Sequence, residues 1–506
     1  MAESSDLFQL IHSLSMSEKR YFKIFASRHV IGKENNYVKL FDAVDSQKES
    51  NDSELKKMIK NSPITKNLPR HKHYLFNLIL RSLNAFRADS SSDARFREMM
   101  RSVEILFEKG LYKQCWKFLK RAKEITTQLE KIPEQLAVAG WEQNLLSKSS
   151  QYEELDKSLT NDLLLIKEFE EERLVKKNVY SVYSRVVKMG IARSDYDIDQ
   201  LRKLVYKPIL LESKVKNFWS KHLMYVAHSL YFNTIGDYES YHECNEKIVN
   251  LFESKPQFIR DRPNLYVVSL NNLCNSKIET ERYNEITAVI NKLRSIPENY
   301  NITIHRNTQA NIVFYSTRIE VVCYLIKGEF EKAKKIIEEA QTDIKKNRAF
   351  VAKSGELTFY FDAAYTYFIN GEHHNCLKWL NQILNDSEIK VREELHSISK
   401  IFSLIVHFEL GNFALIDYII RSTYGQMLKQ DKLFPIEHVM IKFFRETLKM
   451  SKRKMLLPEY LHTHKKLEQM LNDPYEKKVF DYFDFISWVK SKIDEKTFRE
   501  VLLLKN

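Results

Sequence analysis

The stretch GEFEKAKKIIEEA, residues 328–340, decides the fold. Glycine tolerates the left-handed backbone conformation, so Gly328 is predicted to end one helix. Phe330 is predicted to begin the next helix. The small and apolar side chains that follow on one face of this helix, at spacings i, i+4 and i+7, are Ala333, Ile337 and Ala340. A small residue there lets two helices approach closely, so the stretch predicts a tight pair of helices.

The same turn recurs along the chain. Half of the ten glycines end an amphipathic pattern and precede an aromatic residue or histidine by two positions; they are Gly110, Gly236, Gly328, Gly371 and Gly411. Two further copies begin at Ser150 and Glu281 and lack the glycine. Successive turns lie 40, 86, 45, 47, 43 and 40 residues apart, and 86 is two periods of 43. The spacing predicts a missing copy at 190–196, where Gly190 and Tyr196 occur.

This frame resembles the tetratricopeptide repeat (TPR). The likeness rests on the Gly-x-aromatic turn and on the small and apolar residues that follow it, and it covers roughly residues 96–425. The family's period is ~34 residues, whereas the period here is 40–47. The resemblance implies an all-α, right-handed superhelical solenoid of antiparallel helix pairs, with helical N- and C-terminal caps. Solenoids of the HEAT or armadillo kind, with units of ~40–47 residues, are the alternative, but they do not account for the turn.

Length and composition indicate three parts. A chain of 506 residues exceeds what one core usually organises, whereas a repeat array grows in one dimension. A small, polar stretch at 88–93 marks a boundary. We therefore expect an N-terminal helical domain over 1–92 and a TPR-like solenoid of about seven to eight hairpins over 93–430. A C-terminal helical repeat and cap is expected over 431–506.

The motifs argue against an enzyme. Scarce glycine disfavours strand-rich folds and phosphate-binding loops. The sequences GxxxxGK[ST], GxGxxG, GxSxG and HExxH do not occur. Histidine pairs such as His373 and His374 lack the i+3 or i+4 spacing of ligands that share one helix face. We expect no catalytic residues, no metal site and no cofactor.

Cysteine usage and hydropathy predict a cytoplasmic protein. The five cysteines are widely spaced and form no CxxC, which is typical of reduced thiols. The first residues lack the basic and apolar regions of a secretory signal. No apolar run approaches the length of a membrane span.

The formal net charge of +13 permits a nucleic-acid partner, although a compositional bias also explains it. The densest basic patch gives the nucleic-acid-binding candidates Lys449, Lys452, Arg453, Lys454, Lys465 and Lys466. The alternative for this patch is a solvated loop and helix face. Residues 53–87 are similar to a DNA-binding helix-turn-helix, but their turn is longer than the usual three to four residues. A helical cap on the solenoid is the alternative there.

A TPR-like array offers a groove along its concave face, which the first helix of each pair lines. Projection of these helices gives the partner-binding candidates Asn271, Asn272, Asn275, Tyr315, Arg318, Phe361 and Tyr365. Amides one turn apart can pair with a peptide backbone, and Tyr and Arg are common interface anchors. The alternative is that the aromatic residues belong to the core between repeats. We expect a non-enzymatic scaffold or regulator that binds a protein or peptide; a nucleic-acid-associated protein with basic ends is the second hypothesis.

Overall fold

The computed structural model describes residues 4–28, 35–60, 62–149, 151–189, 192, 194–388, 391–424, 435–449, 456–473 and 476–505. These residues form helices and turns without a strand, which confirms the all-α prediction. No helix among them is both long enough and apolar enough to cross a membrane. The chain divides into two compact units, residues 1–165 and 166–506.

Unit 1 contains two clusters of buried side chains. Its helices are α1 (Ser4–Ser13), α2 (Met16–Ser27), α3 (Asn36–Asp45), α4 (Asp52–Met58), α5 (Leu68–Phe86), α6 (Ser92–Glu108), α7 (Tyr112–Gln128), α8 (Ile132–Lys148) and the first part of α9 (Tyr152–Met189). One cluster joins α1 to α5 and includes Phe22 and Ile79. The other joins α6 to α8 and includes Val103 and Leu119. The boundary predicted after residue 92 falls between these clusters, and the three-part division stays a prediction.

Unit 2 contains the rest of α9 and the helices that follow. They are α10 (Asp195–Val205), α11 (Phe218–Ile235), α12 (Tyr238–Glu253), α13 (Pro256–Asp261), α14 (Pro263–Glu279), α15 (Tyr283–Arg294), α16 (Ile296–Asn299), α17 (Arg306–Ile326), α18 (Phe330–Asn347), α19 (Lys353–Ile369), α20 (His373–Leu384), α21 (Glu393–Glu409), α22 (Phe413–Ile419), α23 (Pro435–Lys449), α24 (Leu457–Met470), α25 (Phe485–Ile493) and α26 (Phe498–Lys505). A continuous apolar core extends from α17 to α26. The C-terminal helices therefore share their core with the helices before them.

The predicted turns have one common geometry. At Gly328 the backbone is left-handed, with φ 71°, and Phe330 begins α18, as the sequence predicted. The amide of Gly328 donates to the Leu325 carbonyl, and the amide of Glu329 donates to the Tyr324 carbonyl. This pair of bonds is the Schellman motif, which satisfies the last carbonyls of a helix. The same positive φ and the same two bonds occur at Gly110, Gly236, Glu281, Gly371 and Gly411.

Each of these turns joins two helices that pack against each other. The first helices of the pairs are α6, α11, α14, α17, α19 and α21, and the second helices are α7, α12, α15, α18, α20 and α22. From α11 to α21, each second helix also packs against the first helix of the next pair. From α14 onward, consecutive first helices contact each other as well. Residues of the repeat frame pack between these helices; Ala333 and Ile337, for example, are fully buried.

The repeat copies predicted at 150 and 190–196 flank one long helix, α9. Helix α9 continues unbroken from Tyr152 to Met189. Ser150 and Gly190 lie outside the described residues, and Tyr196 is exposed on α10. A break between helices therefore exists where the missing copy was predicted, without a described Gly-x-aromatic turn.

The turn at Glu281 predicts a stabilising substitution. Glu281 has φ 56°, a conformation that costs a residue with a Cβ about 1 kcal/mol relative to glycine. We expect Glu281→Gly to raise the free energy of unfolding by about 1 kcal/mol. Gly371→Ala should lower it by a similar amount, because an added Cβ there contacts no neighbouring atom and only the backbone is strained. Urea denaturation of both variants measures this difference, and equal signs for the two changes would contradict it.

His222 on α11 predicts a loss of stability in acid. Its ring packs edge-on against Phe252, with centroids 5.4 Å apart, and Nδ1 has no hydrogen-bond partner among the described residues. Burial lowers its pKa to about 4. Because the unfolded pKa is about 6.5, the stabilising effect is complete above that pH and is lost as the pH falls towards 4.

We therefore expect His222→Leu to reduce the acid-induced loss of unfolding free energy between pH 6.5 and 4. The reduction should reach at most about 3 kcal/mol at the lower pH. Urea denaturation at several pH values measures it. An unchanged pH dependence in the variant would show that this imidazole does not contribute.

Candidate partner-binding groove

The seven predicted partner-binding residues lie on three successive first helices of unit 2. Helix α14 carries Asn271, Asn272 and Asn275, α17 carries Tyr315 and Arg318, and α19 carries Phe361 and Tyr365. We call the surface formed by these seven residues the first-helix face. Asn275 and Arg318 are in direct polar contact. Phe361 and Tyr365 are instead covered by a C-terminal segment of the chain.

Arg318 connects the three helices. Its Nη1 donates to Asn275 Oδ1 at 3.0 Å, and its Nε donates to Asp362 Oδ2 at 2.8 Å. The side chains of Arg318 and Asp362 are 17% and 18% exposed. Burial raises the pKa of Asp362, and the Arg318 guanidinium opposes that rise. The partners are separated by 43 and 44 residues in sequence, so each contact joins equivalent parts of neighbouring helix pairs.

Asn271 presents an amide oxygen without a partner. The residue is buried, and its Nδ2 donates to Asn272 Oδ1 at 3.3 Å. Its Oδ1 is enclosed and accepts no hydrogen bond from the described residues. On α17, Asn311 is similar, because its Nδ2 donates to Asn264 Oδ1 at 2.8 Å and its own Oδ1 has no described partner. A buried carbonyl oxygen without a donor costs about 1–3 kcal/mol.

The aromatic candidates are enclosed to different degrees. Tyr315 is partly buried, and burial raises the pKa of its phenol. Phe361 is 4% exposed. The ring of Tyr365 contacts those of Phe483 and Phe498, with centroids 5.6 Å and 6.1 Å apart. In this conformation Phe361 and Tyr365 therefore belong to the apolar core, which was the alternative interpretation of these aromatic residues.

The C-terminal residues 476–485, here called the crossing segment, cover this part of the face. The Tyr482 ring lies edge-on to Phe361 with centroids 6.2 Å apart, and Arg392 Nη2 donates to the Tyr482 hydroxyl at 3.4 Å. Further along unit 2, the Tyr238 hydroxyl donates to Asp481 Oδ2 at 3.0 Å. With a further contact from Lys478 to Asn233, the segment reaches residues from the end of α11 to the start of α21.

Sequence reasoning missed Asp362, Asn311 and the crossing segment. A usable signal existed for Asp362, because an arginine and an aspartate about one repeat period apart fall on neighbouring helices. Asn311 follows Asn271 by 40 residues, which is again close to one period. The crossing segment had no such signal, since its sequence lies outside the repeat.

The predicted nucleic-acid-binding residues are only partly described. Lys449 ends α23 and pairs with Glu446 at 2.9 Å. Lys465 and Lys466 lie on α24, where the first is exposed and the second is half-buried. Lys452, Arg453 and Lys454 lie outside the described residues.

Comparison of the chain with known protein families and with curated proteins finds no match.

Proposed function

We propose that the helix pairs stack as a TPR-like solenoid and that the chain is a non-enzymatic scaffold or regulator that binds a partner segment along the first-helix face. Two features of unit 2 support the stacking. Each second helix packs against the first helix of the following pair. The two hydrogen bonds of Arg318 each join residues about one repeat period apart in sequence. Such stacks bind extended or helical segments along their first helices.

The observation that carries the proposal is the unpaired amide oxygen of Asn271. It lies on the same helix as Asn275, one turn away, where Arg318 holds the side-chain amide in place. The oxygen is enclosed in the unbound chain, so the backbone N–H of a bound segment reaches it when the side chains around it rotate away. The unbound protein carries the cost of this acceptor, and the partner removes it.

The substitution Asn271→Leu should weaken partner binding without lowering the stability of the fold. Asn271→Leu replaces the unsatisfied amide with an apolar side chain of similar size, so we expect unchanged or higher stability, by up to about 1 kcal/mol. Partner capture should fall at least tenfold, because the acceptor for the partner is gone. The matched control is Asn291→Leu, at an exposed position of the second helix α15.

The measurement is affinity purification of intact, Asn271→Leu and Asn291→Leu proteins from the native host, with and without nuclease. The proposal predicts one protein partner that survives nuclease, is retained by Asn291→Leu and is lost by Asn271→Leu. Equal capture by both variants would contradict the groove. Loss of all partners on nuclease treatment would instead support the nucleic-acid hypothesis, which also predicts binding that weakens steeply with salt.

A further inference from the structure

The crossing segment contacts the ends of several helices of unit 2 through polar groups. Lys478 Nζ donates to the Asn233 carbonyl at the end of α11 and lies 5.7 Å from the centre of the Tyr238 ring. Asp481 accepts the Tyr238 hydroxyl, and Tyr482 accepts from Arg392. The segment thus brings a cation, a carboxylate and a phenol into contact with other helices of unit 2.

Apolar anchors alternate with these polar contacts. Val479 and Phe483 are fully buried, and Phe485 begins α25 in the core. Lys477 and Asp481 are exposed, and Tyr482 is half-buried. A five-residue 3₁₀ helix, Lys477–Asp481, is the regular structure that holds the segment before Tyr482. Such short helices have poor hydrogen-bond geometry, so this segment depends on its contacts with the face.

Those contacts include charges in unfavourable surroundings. Glu279 at the end of α14 keeps an exposed edge, yet burial of its carboxylate and the nearby Asp481 raise its pKa to about 7. Burial lowers the pKa of Lys478 to about 8, although Asp481 and Glu279 oppose this change. Desolvated charges and two neighbouring carboxylates reduce the net stability of the docked segment. Because Val479 and Phe483 are buried as well, a partner that displaces the segment must also supply apolar groups in their place.

We propose that the crossing segment is an internal ligand of the first-helix face and of the helix ends beside it, and that a partner segment of the same acidic and aromatic chemistry displaces it. Such a partner supplies a carboxylate to the Tyr238 hydroxyl and an aromatic ring to Phe361 and Arg392, as Asp481 and Tyr482 do now. The inference rests on the proposed function, because it names the partner class for the same face. A chain of net charge +13 also attracts an acidic partner by long-range electrostatics.

The test uses the full chain and a labelled synthetic peptide of residues 476–485, with binding measured by fluorescence anisotropy. The releasing variant is Lys478→Ala with Tyr482→Ala, which weakens docking of the internal copy. The matched control is Lys477→Ala with Tyr418→Ala, at two exposed positions of the same unit. We expect the releasing variant to bind the peptide at least tenfold more tightly than the intact chain and the control.

A second peptide with the changes Asp481→Asn and Tyr482→Ala should bind the releasing variant at least tenfold more weakly than the first peptide. Equal binding of the first peptide to all three proteins would overturn the internal ligand. Equal binding of both peptides would overturn the acidic and aromatic specificity. A basic peptide that binds more tightly than either would assign the face to another class of partner.

Hydrogen exchange of the intact chain provides a measurement that needs no variant. The amides of Val479 and Tyr482 donate within the 3₁₀ helix, and we expect them to exchange at least 100-fold faster than the central amides of α19. Equal protection would overturn the proposal, because the segment would then open only with the whole core. The peptide and exchange results do not involve the native partner. If they hold while Asn271→Leu leaves capture unchanged, the proposed function fails and the internal ligand stands.

Discussion

Trp488→Ala should lower the free energy of unfolding of unit 2 by about 4 kcal/mol. The Trp488 side chain is fully buried in α25. Its ring lies edge-on to Phe408 and Phe443, with centroids 5.9 Å and 5.6 Å apart, and its Nε1 donates to Glu409 at 2.6 Å. Removing the indole leaves a cavity between three helices, and the surrounding rings cannot close it fully.

Urea denaturation followed by circular dichroism measures this loss. Trp488→Phe should cost less, about 1–2 kcal/mol, because it keeps a ring and loses the bond to Glu409. Leu504→Ala on α26 is the control, since its side chain is 71% exposed and such changes usually stay within about 0.5 kcal/mol. A loss below about 1 kcal/mol for Trp488→Ala would show that α25 is not part of the core.

Arg318→Ala should lower the unfolding free energy by about 3 kcal/mol, since Asp362 would remain enclosed without its cation. The change also removes the donor to Asn275 Oδ1. The effect should fall when Asp362→Ala is added, because the second change removes the unpaired carboxylate. A double-mutant cycle therefore isolates the pair from the packing of either side chain.

The control for this prediction is Arg294→Ala on the second helix α15. Arg294 donates to both carboxylate oxygens of Glu320 at 2.7 Å, but the pair lies on the surface with side chains 45% and 30% exposed. Exposed pairs contribute about 0–1 kcal/mol. Similar losses for Arg318→Ala and Arg294→Ala would contradict the special role of the buried contact.

Local signals in the sequence predicted the turns correctly. A glycine that ends a helix, followed two positions later by an aromatic residue, fixes the backbone within a few residues. Glu281 shows that the rest of the frame can impose the same turn without glycine. The turn at 150 could not be compared in this way, because Ser150 lies outside the described residues and α9 extends without interruption after it.

The candidate groove was predictable only in part. Helical projection placed Asn275 and Arg318 on the same predicted groove surface, and a hydrogen bond joins them. It could not show that residues 476–485 cover Phe361 and Tyr365, because that contact joins parts of the chain more than 100 residues apart and depends on tertiary packing. Phe361 and Tyr365, which the projection places on the groove surface, are therefore part of the core.

The most direct test of the central claim is to locate the bound partner on the first-helix face. A photo-crosslinking amino acid is placed at position 272 on α14 in one protein and at position 291 on α15 in another, and each is purified with its native partner. Position 272 is half-buried and position 291 is exposed, and only the first lies on the proposed binding surface. The proposal predicts crosslinks to the partner from position 272 and none from position 291. Crosslinks from position 291 alone, or equally from both, would contradict it.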